Sequence, residues 1–444
     1  MSAACGSAAL PTRDGADSPP VLVLGGGLAG LLAAWHLQGR GRRVELWEAS
    51  GAAGGWAQTL PWPGPAGEPG FLERGPQGLR VGRGEALARL IQTLGLDLQT
   101  PGPRGPRWLG KGGRRRPSPA SLAGLWRAPE LSIRETLRIL AEPFAPAATG
   151  PEDLRAFFAR RLGEGFAREL LPALVAGVLA APPERLGLAA LPGLRRLEAA
   201  GGLLIGGLRA GPTRTRVPVA GVGALARALA GRLPGLRLES PARALEPRAE
   251  GGWRVRGEGR VAETGTVVVA LPSRSAAALL RSAAPEAAAL LEAIPRLDLR
   301  VWHSRHPMVP GWERGPGLLV HPPEGRGLLG VASFAADDPR GVPGLLQLRT
   351  YLGGAYPVAP ALAAWPGVLA ELRRWLPELP EAVQVREEAC PGAFPLLAPD
   401  HETRRARVVA ALPPGLHWLG TERFGPGVSD LAEGLEAWAS ATSG

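Results

Sequence analysis

The chain has 444 residues, of which 45% are hydrophobic, and this length exceeds one ordinary core, so two or three domains are expected. The formal net charge is +11, and Lys111 is the sole lysine among 51 basic residues. No basic tail or aromatic RNA motif accompanies the arginines, and this absence argues against a nucleic-acid partner. The sequence contains no apolar run long enough to span a bilayer and no zinc-type spacing of cysteines and histidines, so it predicts neither a transmembrane helix nor a metal site.

The strongest motif of the chain lies in residues 20–56, after a small, polar stretch (1–19) that is expected to be a disordered leader. A glycine loop, Gly25-x-Gly27-x-x-Gly30, follows a predicted buried strand at Val21–Leu24 and opens a helix, and a second strand then ends at Glu48. This order is typical of a dinucleotide-binding βαβ unit, in which the helix amino end faces the pyrophosphate and the acid accepts ribose hydroxyls.

Three further segments favour FAD over NAD. A second glycine pair, Gly54-Gly55, follows Glu48 closely, as in many flavoproteins. The strand and turn of residues 266–272 recur in proteins with two dinucleotide folds, and the final strand leads through Gly425 and Gly427 into a helix near Val428. Such a helix can direct its positive amino end at the flavin.

The elements in chain order predict an α/β protein, α+β overall. A Rossmann-like FAD-binding domain of two-dinucleotide-fold type is expected from three pieces. A second segment is expected to be largely helical, and a third is expected to form a mixed sheet over the flavin, with a helix at 362–376 packed against it. The expected boundaries are 20–83, 212–285 and 395–444 for the FAD domain, 84–211 for the helical domain, and 286–394 for the sheet domain. Residues 101–119 are interpreted as a loop or hairpin, with Arg114–Arg116 in a solvated turn.

The chain resembles the protoporphyrinogen oxidase family of the flavin monoamine oxidase superfamily from about residue 20 to residue 440. The resemblance rests on the blocks GGW (54–56), ERGPQGLR (73–80), LLPALVAGVLAAPPERLGLAALPGLRRLE (170–198), LRTYLGG (348–354) and GTERFGPGVSDLAEG (420–434). It implies FAD as cofactor, a porphyrinogen substrate, oxygen as acceptor and attachment to a membrane surface. Gln77 departs from the family, which usually has arginine there, and so do residues 394–401 and Ser429.

The resemblance also implies two sets of site residues. The cofactor set is Gly25, Gly26, Gly27, Leu28, Ala29, Gly30, Glu48, Ala49, Trp56, Gly75, Pro76, Gln77, Gly78, Ala242, Thr421, Pro426, Gly427 and Val428. The substrate set is Arg107, which would pair with a propionate, and the wall residues Leu174, Gly177, Gly317, Leu319, Ala332 and Tyr351. No side chain is assigned as a catalytic residue, because the flavin itself would accept the hydride.

The expected reaction is the six-electron oxidation of protoporphyrinogen IX to protoporphyrin IX in haem and porphyrin biosynthesis, by three hydride transfers with hydrogen peroxide as second product. Oxidation of coproporphyrinogen III, an amine-oxidase-like activity and a flavin-binding protein without turnover remain open. The resemblance implies that the helical domain contacts substrate and a membrane and that the sheet domain binds substrate. Together with the apolar and arginine-bearing segment 84–205, it predicts peripheral attachment to the cytoplasmic side of an inner or organellar membrane, or otherwise a cytoplasmic protein in which these faces contact each other or a dimer partner.

Overall fold

The computed structural model describes residues 19–82, 85–100, 107–118, 131–148, 150–210, 214–313, 317–322, 324–334, 338 and 340–442. Most of the expected leader, residues 1–18, therefore lies outside the described residues. The described chain folds into two large sheets, three small ones and a group of helices between them.

The dinucleotide half is built on a parallel five-stranded sheet. Its order from edge to edge is Leu236–Arg237, Val44–Trp47, Val21–Leu24, Val267–Val269 and Leu416–Trp418. The central strands, VLVL and VVV, are buried along their whole length, as expected for parallel strands covered on both faces. Helices cover them at Leu28–Gln38, Gly223–Ala230, Ser273–Leu280, Pro285–Glu292, His401–Ala410, Thr421–Phe424 and Val428–Ala441.

Three small sheets flank this half. One is antiparallel and comprises Ala242–Pro247, Trp253–Gly257 and Arg260–Thr264. A hairpin pairs Thr59–Pro61 with Phe71–Glu73, and the strand Arg214–Pro218 pairs with both Leu79–Val81 and Leu98–Gln99.

A seven-stranded mixed sheet forms the second half. Its order is Gln384–Pro395, Arg296–Pro307, Leu345–Gly353, Leu328–Phe334, Gly317–Val320, Arg107–Lys111 and Arg114–Pro117. Only the pairing of Gly317–Val320 with Arg107–Lys111 is parallel in this sheet. Helix Trp365–Trp375 and a 3₁₀ turn at Pro360–Ala363 pack on the outer face of the sheet, close to the helix expected at 362–376.

The remaining helices lie in the segment expected to be helical. They are Ile133–Leu140, Leu154–Leu162, Glu164–Glu169, Leu171–Leu179, Gly193–Ala199 and Leu203–Ala210, with 3₁₀ turns at Glu142–Phe144, Pro183–Arg185 and Leu188–Ala190. Ser132 begins the first of them with a capping box, because its hydroxyl accepts the Glu135 N–H while the Glu135 carboxylate accepts the Ser132 N–H. The buried pair of Arg161 and Glu142 joins these helices, since Glu142 also accepts the amides of Leu203 and Leu204.

Two features of the segment 84–211 differ from an all-helical domain. Helix Ala86–Leu94 packs into the core of the dinucleotide half, beside Leu31 and Leu225. Residues 107–117 form a hairpin that belongs to the seven-stranded sheet, and Arg114–Arg116 lie in its second strand rather than in a solvated turn, which Gly112 and Gly113 form instead. No helix in the described residues is long and apolar enough to cross a membrane.

Candidate active site

The first glycine loop, which follows the carboxyl end of strand Val21–Leu24, leaves one of its glycine positions open. A Cβ on Gly30 would lie 1.9 Å from the Gly25 carbonyl oxygen, and a Cβ on Gly25, whose φ is +104°, would lie 2.6 Å from the Ala270 oxygen. Gly27, in contrast, would meet no protein atom within 4 Å, and it is the residue that begins the helix Leu28–Gln38. The fold therefore requires glycine at positions 25 and 30, whereas at position 27 the absent side chain leaves space for a ligand at a helix amino end.

Glu48 lies at the carboxyl end of the second strand, opposite this loop. Its Oε2 accepts the Gly26 amide at 2.6 Å, and its Oε1 accepts the Ser50 amide at 2.8 Å. The expected acid is thus half-buried and held beside the glycine loop, with the exposed Ala49 next to it. The Ser240 amide donates to the Glu48 carbonyl at 2.8 Å, which brings the segment before Ala242 to the same edge.

The second glycine pair packs on the first glycine loop. The Gly54 amide donates to the Gly26 carbonyl at 2.7 Å, and a Cβ on Gly55, whose φ is +58°, would lie 3.2 Å from the Gly27 Cα. Trp56 follows, with the Arg74 guanidinium 4.9 Å from its ring centre. Close backbone approach therefore explains both glycines.

The loop that contains Gly75 to Gly78 lies between the two halves of the protein. A Cβ on Gly75 would lie 2.4 Å from the Trp56 carbonyl oxygen, so Gly75 is fixed by packing, as Gly78 is against Thr215. Gln77 donates from Nε2 to the Gly75 carbonyl at 2.8 Å, whereas its buried Oε1 has no partner within the described part of the chain. An unpaired buried acceptor indicates that a ligand or water completes this site.

The carboxyl-terminal helix also points its amino end into this region. Gly427 caps Val428–Ala441, and Gly425, whose φ is +115°, leaves no room for a side chain because Pro192 would lie 2.7 Å from its Cβ. Burial raises the pKa of Asp430 in the first turn of this helix. Thr421 starts the preceding short helix, and its neighbour Glu422 is buried against Arg296.

The residues of the substrate set share one face of the seven-stranded sheet and the helix that covers it. Strand register places Gly317 opposite Arg107, and Leu319 and Tyr351 on either side of Gly330. Ala332 stands opposite Arg349 on the same face. A Cβ on Gly177 would lie 2.4 Å from Leu319 Cδ2, and Leu174 packs in the same apolar cluster as Leu319.

Arg107 is the expected propionate partner, and it is exposed at the edge of this face. Within the described residues its guanidinium makes no ion pair or hydrogen bond. Lys111, on the same strand, forms an ion pair with Glu169. The sheet therefore presents apolar residues with Arg107 as an exposed cation at their edge.

Several buried polar residues that join the two halves carry no recognisable pattern in the sequence. Arg349 contacts the loop at residues 73–75, and Arg340, paired with Asp338, donates to the Gln77 carbonyl. Glu73 accepts the Val222 amide at 2.7 Å, and burial raises its pKa. Because these contacts join residues that are far apart in sequence, no local sequence pattern predicts them.

His303 is buried on the same face as Arg349. Burial lowers its pKa to about 4, although Glu388 lies 3.7 Å away. Neither ring nitrogen has a hydrogen-bond partner in the described chain. The imidazole is therefore neutral near pH 7.

Comparison with known proteins agrees with this geometry. Residues 28–430 match the family of flavin containing amine oxidoreductases. The chain is 29% identical to protoporphyrinogen oxidase of Homo sapiens over 373 residues, which are 76% of this chain and 77% of that protein. It is 33% identical to coproporphyrinogen III oxidase of Propionibacterium freudenreichii subsp. freudenreichii over 209 residues, 42% of this chain and 38% of the relative.

Solved structures show the same fold. A crystal structure from Exiguobacterium sp. 255-15, whose name proposes a protoporphyrinogen oxidase, superposes with a TM-score of 0.78 at 21% identity and covers 97% of this chain and 99% of its own. Cyclohexylamine oxidase from Brevibacterium oxydans IH-35A superposes with a TM-score of 0.68 at 20% identity, covering 96% and 99%.

The residues present fit a dinucleotide cofactor, because the structure offers an open position at Gly27, a helix amino end, the carboxylate of Glu48 beside the glycine loop and the unpaired oxygen of Gln77. The predictions of an FAD cofactor and of a mixed α/β fold are thus confirmed. The chain belongs to the flavin-containing amine oxidoreductase family, and FAD is its cofactor.

Proposed function

We propose that this flavoenzyme oxidises protoporphyrinogen IX to protoporphyrin IX, with oxygen as the final acceptor and hydrogen peroxide as second product. The observation that carries the proposal is the shared sheet face: Leu174, Leu319 and Tyr351 offer apolar contacts, and the exposed Arg107 stands at the edge. An apolar macrocycle with carboxylate side chains matches such a surface. The similarity to the human enzyme over most of both chains supports the same substrate class.

The protein's own residues would bind and orient the substrate. FAD, when bound, would supply the acceptor for the hydride that leaves a bridge carbon of the macrocycle in each of the three rounds of oxidation. Leu319 and Gly177, which are in contact, would hold the ring by shape, and Arg107 would hold a propionate through two parallel hydrogen bonds. Because Gly177 already touches Leu319, a larger residue there would displace this wall.

Coproporphyrinogen III is the second candidate substrate. It is supported by the 33% identity to a coproporphyrinogen III oxidase, although that similarity spans only 42% of this chain. Its four propionates would need more cations at this face than the two propionates of protoporphyrinogen IX, and the substrate set supplies Arg107 alone. Amine oxidases of this superfamily commonly place a lysine near the flavin. The sole lysine of this chain, Lys111, is instead paired with Glu169, which disfavours an amine-oxidase-like activity.

Turnover of the two porphyrinogens by the purified FAD-loaded protein tests the proposal. We expect porphyrin fluorescence and hydrogen peroxide to appear together, and protoporphyrinogen IX to be the faster substrate. Faster oxidation of coproporphyrinogen III would favour the second candidate. A yellow protein that oxidises neither compound, nor simple amines, would favour a flavin-binding role without turnover.

We further propose peripheral attachment to a membrane surface, on its cytoplasmic side. Support comes from helix Ile133–Leu140 and the turn after it, where Ile133 is 73% and Phe144 89% exposed, with Leu137 and Leu140 between them. Their spacing places them along one side of the segment, as in helices that lie in a membrane interface. Attachment to anionic liposomes tests this, and a dimer detected by sedimentation would show that a second copy covers the apolar stripe instead.

A further inference from the structure

Arg349 contacts residues 73–75, which lead into the loop of Gly75 to Gly78, from the opposite half of the protein. It lies in the strand Leu345–Gly353 and is 3% exposed. Its Nη1 donates to the carbonyl oxygens of Glu73 at 2.5 Å and Gly75 at 3.3 Å, and its Nη2 donates to that of Arg74 at 3.0 Å. One buried guanidinium therefore holds three consecutive carbonyls of the loop that contains Gly75 and Gln77.

No carboxylate forms an ion pair with this guanidinium in the described residues, although Glu73 and Glu388 interact with its charge at longer range. Among the described residues no acidic oxygen lies within 4.0 Å of it, and its Nε has no hydrogen-bond partner. Burying an unpaired cation is costly, and neutral carbonyls compensate only part of that cost. Such a cation is suited to a site where negative charge develops during the reaction.

Arg349 also touches the expected substrate face. Its Cζ lies 5.2 Å from the centre of the Tyr351 ring, and Ala332 is its cross-strand partner. The same side chain thus contacts members of both the cofactor set and the substrate set. Its position is fixed by the strand pairing of the sheet, with His303 opposite it on the other side.

We propose that Arg349 is a positioning residue: it holds the carbonyls of residues 73–75 in place beside the flavin, and its unpaired charge raises the reduction potential of that flavin. The hydrogen bonds are charge-assisted, so losing them should loosen the loop and weaken FAD binding. A nearby buried cation stabilises a reduced, anionic flavin more than the oxidised one, which makes reduction more favourable. The inference rests on FAD binding and does not depend on which substrate is oxidised.

Two variants separate the two effects. Arg349→Met removes both the charge and the donors, whereas Arg349→Lys keeps a charge but cannot bind three carbonyls in the same way. Arg305→Met is the matched control. Arg305 is also fully buried on this face and, among the described residues, also lacks a carboxylate within 4.0 Å. Unlike Arg349, it binds the carbonyls of Trp62 and Pro63.

The FAD-loaded full-length proteins are diluted, the released FAD is measured by fluorescence, and the potential of the bound flavin is measured by photoreduction with a reference dye. We expect Arg349→Met to release FAD with a Kd at least about tenfold higher and to show a more negative potential. Arg349→Lys should also weaken FAD binding but keep a potential closer to that of the wild type, and Arg305→Met should change neither.

Wild-type FAD affinity and potential in Arg349→Met would overturn the proposal, and so would equal effects in Arg305→Met, which would show general destabilisation. If Arg349→Met does not fold, the lysine variant decides: weaker FAD binding with a near-wild-type potential supports the proposal, and unchanged binding overturns it. None of these measurements uses a porphyrinogen, so a failed porphyrinogen assay leaves this test intact.

Discussion

Acid should destabilise the protein partly through His417, which lies in the strand Leu416–Trp418 of the parallel sheet. The ring is 6% exposed, packs edge-on against Trp438 at 5.6 Å, and has no partner for Nε2 in the described chain. Burial, and to a smaller degree the charge of Arg423, lowers the pKa of His417 from 6.5 to about 4. The folded protein therefore holds this imidazole neutral at a pH where the unfolded chain protonates it.

The sign follows from proton linkage. Between pH 6.5 and about 4 the unfolded state binds more protons at this residue, so stability is present above pH 6.5 and is lost as the pH falls through this window. At about 1.4 kcal/mol per pH unit, the full loss is about 3 kcal/mol, of which about 2 kcal/mol is reached near pH 5.

Replacing the histidine by phenylalanine should remove this loss. We expect the free energy of unfolding of His417→Phe, measured by urea titration, to fall by about 2 kcal/mol less than that of the wild type between about pH 7.5 and about pH 5. Any packing cost of the larger ring affects both pH values and cancels from the difference. The neighbouring variant Leu416→Met, which changes no titratable group, should follow the wild type; equal acid sensitivity of His417→Phe and the wild type would refute the assigned pKa.

Three further predictions concern the two binding faces and the membrane surface. Gly27→Val should fold with a wild-type melting temperature before FAD is added but bind FAD at least about tenfold more weakly. Gly30→Val should lose stability by itself, because its Cβ would overlap the Gly25 carbonyl. Equal effects of the two variants in calorimetry and FAD titration would contradict the assigned geometry. Arg107→Ala should raise the KM for protoporphyrinogen about tenfold or more and leave FAD binding unchanged, and an unchanged KM would show that another residue binds the propionate. Leu137→Glu should reduce flotation with anionic liposomes while keeping the melting temperature, since Leu137 is exposed; retained flotation would place the contact elsewhere.

Local sequence signals were sufficient for the cofactor half. The buried run VLVL, the glycine spacing and the acid after the second strand each reflect a constraint that acts within about thirty residues, and the structure shows those constraints as the close approaches at Gly25 and Gly30. The expected strand, helix and strand at residues 21–47 are present with the strand bounds predicted.

Contacts between distant residues could not be predicted in the same way. In the sequence, nothing distinguishes Arg349 from the other arginines of this arginine-rich chain. Only the pairing of its strand with Leu328–Phe334 and Arg296–Pro307 places it against the loop at 73–75. For the same reason the sequence predicts a loop or hairpin at 101–119 but not its partner, since only the pairing with the strand at 317–320 makes the hairpin at 107–117 part of the mixed sheet.

The measurement that tests the account most directly is anaerobic mixing of the FAD-loaded protein with protoporphyrinogen IX, followed by the visible absorbance of the flavin. The account predicts that the yellow absorbance bleaches as porphyrin forms and returns when oxygen is admitted. A flavin that stays oxidised in the presence of excess protoporphyrinogen IX would contradict it.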